Sequence, residues 1–246
     1  CSRGNRPAPC SAILARVRSA HICCARWPME TVTRLLLVRH GVTEMNAVGR
    51  LQGHMHTPLS AEGRRQAAQI ARRLADDPIS AVWTSDLPRA LETAEAIARI
   101  HELAPISTPL LRECACGEWE GLTREEIIAR GDGELLEARR RDPAGVPAPG
   151  GETLAQMWER VVQCREQILR QHAGQSVVVV GHMGSLRVLF CDALGLGIEG
   201  WRSVWLENCS LTILEHGPRA TPIRLVNDTC HLRHVASAGT EHPTYT

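Results

Sequence analysis

Arg34-Leu35-Leu36-Leu37-Val38-Arg39-His40-Gly41 is the most telling stretch of the chain. Its apolar residues follow one another without alternation, and polar residues bound them. A strand with one wet face alternates; an unbroken run of this length is a strand buried on both faces. Ser176-Val177-Val178-Val179-Val180-Gly181-His182 repeats the pattern more emphatically. Both runs end in a histidine beside a glycine, so two buried strands deliver the same chemistry at their carboxyl ends.

Working outward, strands and helices alternate. The spacing predicts a helix opened by Ser60 and running to about Ala75, with Ala67, Ile70, Ala71 and Leu74 on one face. Ile79 to Thr84 reads as a strand, and Pro88 suits the first turn of a helix reaching about His101. Pro105 to Leu111 reads as a third strand. Residues 114–150 are irregular and end in a loop, Val146-Pro-Ala-Pro-Gly-Gly151. A long helix is predicted from Glu152 to Gln171, another from Gly184 to Leu194. Ser210 to Glu215 and Ile223 to Asn227 complete the strands. The expected fold is α/β: a mostly parallel central sheet covered by helices on both faces, with a small irregular cap.

The chain has 246 residues, enough for one large domain, and a net charge of +1. No global field points to nucleic acid or to a membrane surface. All 28 basic residues are arginine. A lysine Schiff base and a Walker-type lysine are excluded, and any phosphate must be held by guanidinium forks. Ten cysteines include no CxxC pair; they read as reduced thiols of a cytoplasmic protein. No apolar run suits a membrane span. Residues 1–28 hold five arginines and four cysteines with no acid. They read as a disordered tail, a translated upstream or fragmentary segment, ahead of an α/β domain at 29–246; a transit peptide is the second reading.

In open α/β sheets ligands bind beyond the carboxyl ends of the strands. Four such ends present Arg39 and His40, Arg89 just after Ser85-Asp86, Glu113, and His182. As neighbours in one sheet they converge on one crevice. Two arginines would neutralise a phosphate. One imidazole would attack phosphorus and the other would donate to its oxygens. The carboxyl would protonate the leaving oxygen and then activate water. Singly, each residue has a duller account as a core histidine or surface ion-pair partner; their coincidence at four strand ends carries the reading.

These residues sit in a series of ordered motifs. They are Leu37-Val38-Arg39-His40-Gly41 with Thr43 and Asn46, Leu51-Gln52-Gly53, and Thr57-Pro58-Leu59-Ser60. Thr84 to Ala90, Leu111-Arg112-Glu113, Gly117 to Thr123, Pro149 to Thr153, and Gly181-His182 with Ser185-Leu186-Arg187 follow. The series resembles the histidine phosphatase superfamily, which includes the cofactor-dependent phosphoglycerate mutases. The resemblance implies His40 as the phosphorylated nucleophile, Glu113 as proton donor, and Arg39, Arg89 and His182 as the phosphate pocket. It implies substrate contacts from Asn46, Gln52 and Met183, no metal and no organic cofactor. Its substrate would be a small phosphorylated metabolite. Val42, His56 and Met183 depart from the pattern, and Met183 would narrow the site.

Hydrolysis of small phosphomonoesters is the leading expectation. His182 follows Glu113 by 69 residues, short for a mutase that encloses a bisphosphate; the mutase is the alternative, and a silent binding domain the third reading. Other motifs read blandly. Gly195-Leu-Gly197-Ile-Glu-Gly200 follows a helix, not a strand, so the dinucleotide fingerprint lacks its context. His54 and His56 lack a third ligand nearby. The Asn208 and Asn227 sequons read as chance, and Arg139-Arg140-Arg141 as a solvated face near the cap.

Overall fold

A computed structural model describes residues 31–235; the predicted tail at 1–28 lies outside them. The elements run β1 (Thr33–Arg39), α1 (Glu44–Ala47), α2 (Ala61–Arg73), β2 (Ile79–Ser85), α3 (Pro88–Ile100) and β3 (Ile106–Thr108). They continue with α4 (Arg124–Ile127), α5 (Gly133–Arg141), α6 (Leu154–Gln171), β4 (Ser176–Gly181), α7 (Met183–Ala193), β5 (Leu211–His216) and β6 (Ile223–Asp228). One six-stranded sheet has the order β3-β2-β4-β1-β5-β6. β1, β2, β3 and β4 are parallel, and β5 and β6 add an antiparallel pair.

The unbroken apolar runs sort by parity, as strand geometry requires. Leu35, Leu37, Val177 and Val179 face α6 and α7 with Met157, Val161 and Leu189. Leu36, Val38, Val178 and Val180 face α2 and α3 with Ile70, Leu74, Ala94 and Ile97. Each such side chain contributes about 1.5–3 kcal/mol by leaving water.

Register then places the chemistry. Val38 pairs with Val180 and Arg39 with Gly181. His40 and His182 therefore leave the sheet at the same height, with His40 N donating to Gly181 O at 3.0 Å.

Two expectations need correction. The strand read over Pro105 to Leu111 keeps only Ile106–Thr108; Pro109 begins a 3-10 turn capped by the Thr108 hydroxyl, because proline lacks the N–H a ladder needs. The stretch read as irregular contains α4, a π-turn and the nine-residue α5. Trp119, Ile127 and Ala148 form its own small core. No disulfide joins the described cysteines. Among the described residues no helix is long and apolar enough to cross a membrane.

Candidate active site

His40 follows β1 in a loop pressed against α2. A Cβ on Gly41 would overlap the Gly63 carbonyl, and one on Gly63 would overlap that of Val42. Only two glycines allow this approach. Further ties fix the loop. Gly41 N donates to Thr93 Oγ1, Val42 N to Gln66 Oε1, and Asn208 Nδ2 to the His40 carbonyl.

The His40 ring is buried, and its Nδ1 lies 2.7 Å from the Gly41 carbonyl oxygen. A carbonyl can only accept, so Nδ1 carries the proton and Nε2 keeps the lone pair. Burial, then Arg89 and Arg39, hold the ring well below the usual imidazole range. His40 is therefore neutral at pH 7, the state in which an imidazole has a lone pair to offer.

His182 caps the start of α7. It is fully buried, with its ring centroid 5.0 Å from that of His40. Burial lowers its affinity for a proton, helped by Arg89 and His40. Neither ring nitrogen has a hydrogen-bond partner among the described residues.

Arg89, in the first turn of α3, is buried. Its Nη1 donates to Met55 O at 2.9 Å and its Nη2 to Gly53 O at 2.8 Å. Each Nη keeps a second N–H, and Nε is buried without a hydrogen-bond partner among the described residues. Burial brings Arg89 down to about 10, so it stays charged at neutral pH. Arg39 Nη1 donates to Leu206 O at 2.7 Å.

Glu113 stands on the other side. Its Oε1 accepts from Cys114 N at 2.8 Å and its Oε2 from Gly184 N at 3.1 Å. A Cβ at Gly184 would overlap Oε1. Arg160 of α6, which sequence reasoning missed, organises this loop. It donates to the carbonyls of Leu110, Arg112 and Glu113 at 2.8–2.9 Å and pairs with Glu152. Nothing in the helical pattern of α6 signals that role. Arg112 forks onto Asp86 at 2.7 and 2.6 Å, tying the ends of two strands together.

These groups meet at a cavity of about 430 Å³ whose wall includes Arg39, His40, Asn46, Gln52, Arg89, Glu113 and Met183. His182 lies beside His40 and is not part of that wall. Asn46 Oδ1 accepts from Thr43 N, and Gln52 Oε1 from the Thr43 hydroxyl. Both amides thus keep their NH2 groups as donors. Cys114 and Cys116 also line the cavity, but burial pushes their thiols up to about 11 and about 12. They are not thiolates at neutral pH. Arg139, read as part of a solvated face, turns inward: it bonds Val146 O, Glu152 O and Cys114 Sγ. His54 Nε2 lies 2.9 Å from the Glu113 carbonyl oxygen.

The chain matches known proteins over the same span. The family model of the histidine phosphatase superfamily, branch 1, fits residues 35–229. Phosphoserine phosphatase 1 of Hydrogenobacter thermophilus is 33% identical over 82% of this chain and 95% of its own length. A probable phosphoglycerate mutase of Serratia proteamaculans is 34% identical over 74% of this chain and 85% of its own. A solved mycobacterial glucosyl-3-phosphoglycerate phosphatase is 31% identical, with a TM-score of 0.72 over 79% of this chain and 98% of that one. Other relatives are longer, and the match spans 42% to 56% of them. By sequence and by fold, the chain belongs to the histidine phosphatase superfamily.

Proposed function

We propose that this enzyme hydrolyses small phosphomonoesters through a phosphohistidine at His40, without a metal. One observation carries the reading: a neutral imidazole, its tautomer fixed by the Gly41 carbonyl, lines one cavity together with two guanidinium groups whose charge it feels.

Arg39 and Arg89 supply the positive charge that draws the phosphoryl group to His40. His40 Nε2 attacks phosphorus. The Nδ1–H bond to the Gly41 carbonyl stabilises the charge that develops on the ring. A doubly negative phosphoryl group also reverses the electrostatics at His182. The arginines that disfavour its proton are then neutralised, and the ring can donate. Glu113 gives its proton to the leaving oxygen, then takes one from the water that opens the phosphohistidine. Its two backbone hydrogen bonds hold the carboxyl in place through both steps. Positioning and charge do most of the work in phosphoryl transfer, and this site supplies both.

The mutase reading differs only in the second acceptor, an alcohol instead of water. The phosphatase and mutase names among the relatives reflect that closeness. The test is phosphate release from a panel of phosphomonoesters in EDTA, with and without 2,3-bisphosphoglycerate, plus base-stable, acid-labile label on His40. Release in EDTA with label on His40 supports the reading. Label on His182, or activity restored only by Mg²⁺ or Zn²⁺, refutes it. Phosphoryl exchange without phosphate release would make the mutase the right description.

A further inference from the structure

His40, Arg89 and His182 stand on backbone held by the sheet or by a helix. Glu113 does not. β3 stops at Thr108, and between the turn at Pro109–Leu111 and the turn at Gly117–Trp119 the chain has no regular structure. No ladder fixes the height or direction of this carboxyl, so its backbone needs other partners.

Arg160 of α6 supplies most of them, and all five of its N–H groups are used. Nη1 donates to Leu110 O at 2.9 Å and to Arg112 O at 2.8 Å, and Nη2 to Glu113 O at 2.9 Å. Nε and Nη2 also hold the two carboxylate oxygens of Glu152. Glu152 in turn accepts from Ala115 N on Oε1 at 2.9 Å and gives its own N–H to Ala115 O at 3.0 Å. The pair therefore clamps the chain on both sides of Glu113.

The peptide unit between Glu113 and Cys114 is the centre of the clamp. Its carbonyl oxygen accepts from Arg160 Nη2 and lies 2.9 Å from His54 Nε2. A carbonyl has no proton to give, so His54 carries its own on Nε2. The N–H of the same peptide donates to Glu113 Oε1 at 2.8 Å. Because the peptide is planar, its two ends turn together. Whatever fixes the carbonyl fixes the N–H that holds the carboxyl. Neither Arg160 nor His54 lines the cavity, so neither meets the substrate.

We propose that Arg160, with His54, is the positioning residue for the leaving-group proton: by fixing the peptide between Glu113 and Cys114, it aims the Glu113 carboxyl at the leaving oxygen. The inference rests on the reading of Glu113 as the acid. Only a guanidinium presents enough donors in one plane to reach three carbonyls and a carboxylate together.

The test is a cycle of four chains: wild type, Arg160→Met, Glu113→Gln and the two together. Single-turnover formation of phosphohistidine is measured with ethyl phosphate and with p-nitrophenyl phosphate. Arg160→Met should slow the ethyl substrate by about 10- to 100-fold, the scale of a misplaced catalytic group, and the aryl substrate much less. Inhibition by vanadate should hold, because Arg39 and Arg89 are untouched. In the Glu113→Gln background the ethyl-selective part of the loss should vanish. An equal loss on both substrates, or the same ethyl loss with and without the Glu113 carboxyl, overturns the proposal and leaves the clamp a matter of folding. An ethyl-selective defect in Glu113→Gln that Arg160→Met does not share also overturns it, while Glu113 stays the acid. No selectivity in Glu113→Gln itself sinks the acid assignment and the proposal with it. Where Arg160→Met does not fold, Arg160→Met with Glu152→Gln leaves no buried charge unpaired and is read in the same way. His54→Leu should show a smaller loss of the same kind, and His54→Gln, which returns a donor to the carbonyl, should recover it. Equal behaviour of these two overturns the proposal even where no Arg160 variant folds.

Discussion

The two ends of the cavity are built by opposite means. At the inner end His40 and Arg89 are 3% and 1% exposed, and His182 beside His40 is 0% exposed; all three follow strands of a sheet packed on both faces. Their partners are backbone carbonyls and one another. At the outer end the wall includes 3-10 and short α segments, where Arg50, Arg124 and Arg140 pair with the side chains of Glu126 and Glu137. A backbone partner cannot be lost by substitution, whereas a side-chain partner can. The inner end is therefore suited to one fixed reaction, and the outer end to whatever leaving group the chain must recognise.

Substitutions at each end put this contrast to the test. The largest effect should come from His40→Ala, which removes the proposed nucleophile from a unit that acts together; kcat should fall by at least about 10³-fold. A comparable loss from Arg139→Met would abolish the distinction between the ends.

Next in size is Glu113→Gln, which keeps shape but cannot supply a proton. Formation of phosphohistidine from alkyl phosphates should slow by about 10²-fold or more in single turnover. The same step with p-nitrophenyl phosphate should slow much less, because its leaving group departs as an anion. Gly184→Ala, which forces the carboxyl away from the α7 amide, should copy that selectivity. Equal losses on both substrates would make Glu113 an electrostatic element and not the acid.

The pH dependence is smaller and belongs to the buried histidines. His40 and His182 bind protons more weakly folded than unfolded. Below about pH 6.5 the unfolded chain therefore takes up protons that the native chain refuses, and stability falls with falling pH. A bound phosphate analogue should reduce that slope by making room for a proton on His182. Thermal melts from pH 7.5 to 5.5, with and without vanadate, check this. A slope unchanged by His40→Asn or His182→Asn would contradict it.

The smallest effect belongs to the outer ion pairs. Arg124–Glu137 is half exposed on both sides. Arg124→Gln should cost no more than about 1 kcal/mol of stability and leave kcat on p-nitrophenyl phosphate near wild type.

The same contrast explains what was legible in the sequence. Continuous apolar runs announce buried strands, and a ligand site at their ends follows from sheet geometry, so β1, β4, His40 and His182 could be read directly. The outer end has no such period. α4 is four residues long and α5 nine, and a π-turn with Gly131 at φ +98° separates them. No amphipathic repeat survives that interruption. Arg160 was invisible for another reason. It acts through carbonyls distant in the chain, and an arginine on a helix looks alike whether it faces a carbonyl or water.

The hydrogen bond from Nδ1 of His40 to the Gly41 carbonyl has a consequence for the identity of the intermediate. Histidine can carry phosphorus on either nitrogen, giving two regioisomers with different lifetimes and different ³¹P signatures. With Nδ1 occupied by its proton, only the Nε2 isomer can form at this site. The trapped species should be homogeneous, a single tele-phosphohistidine with none of the pros form.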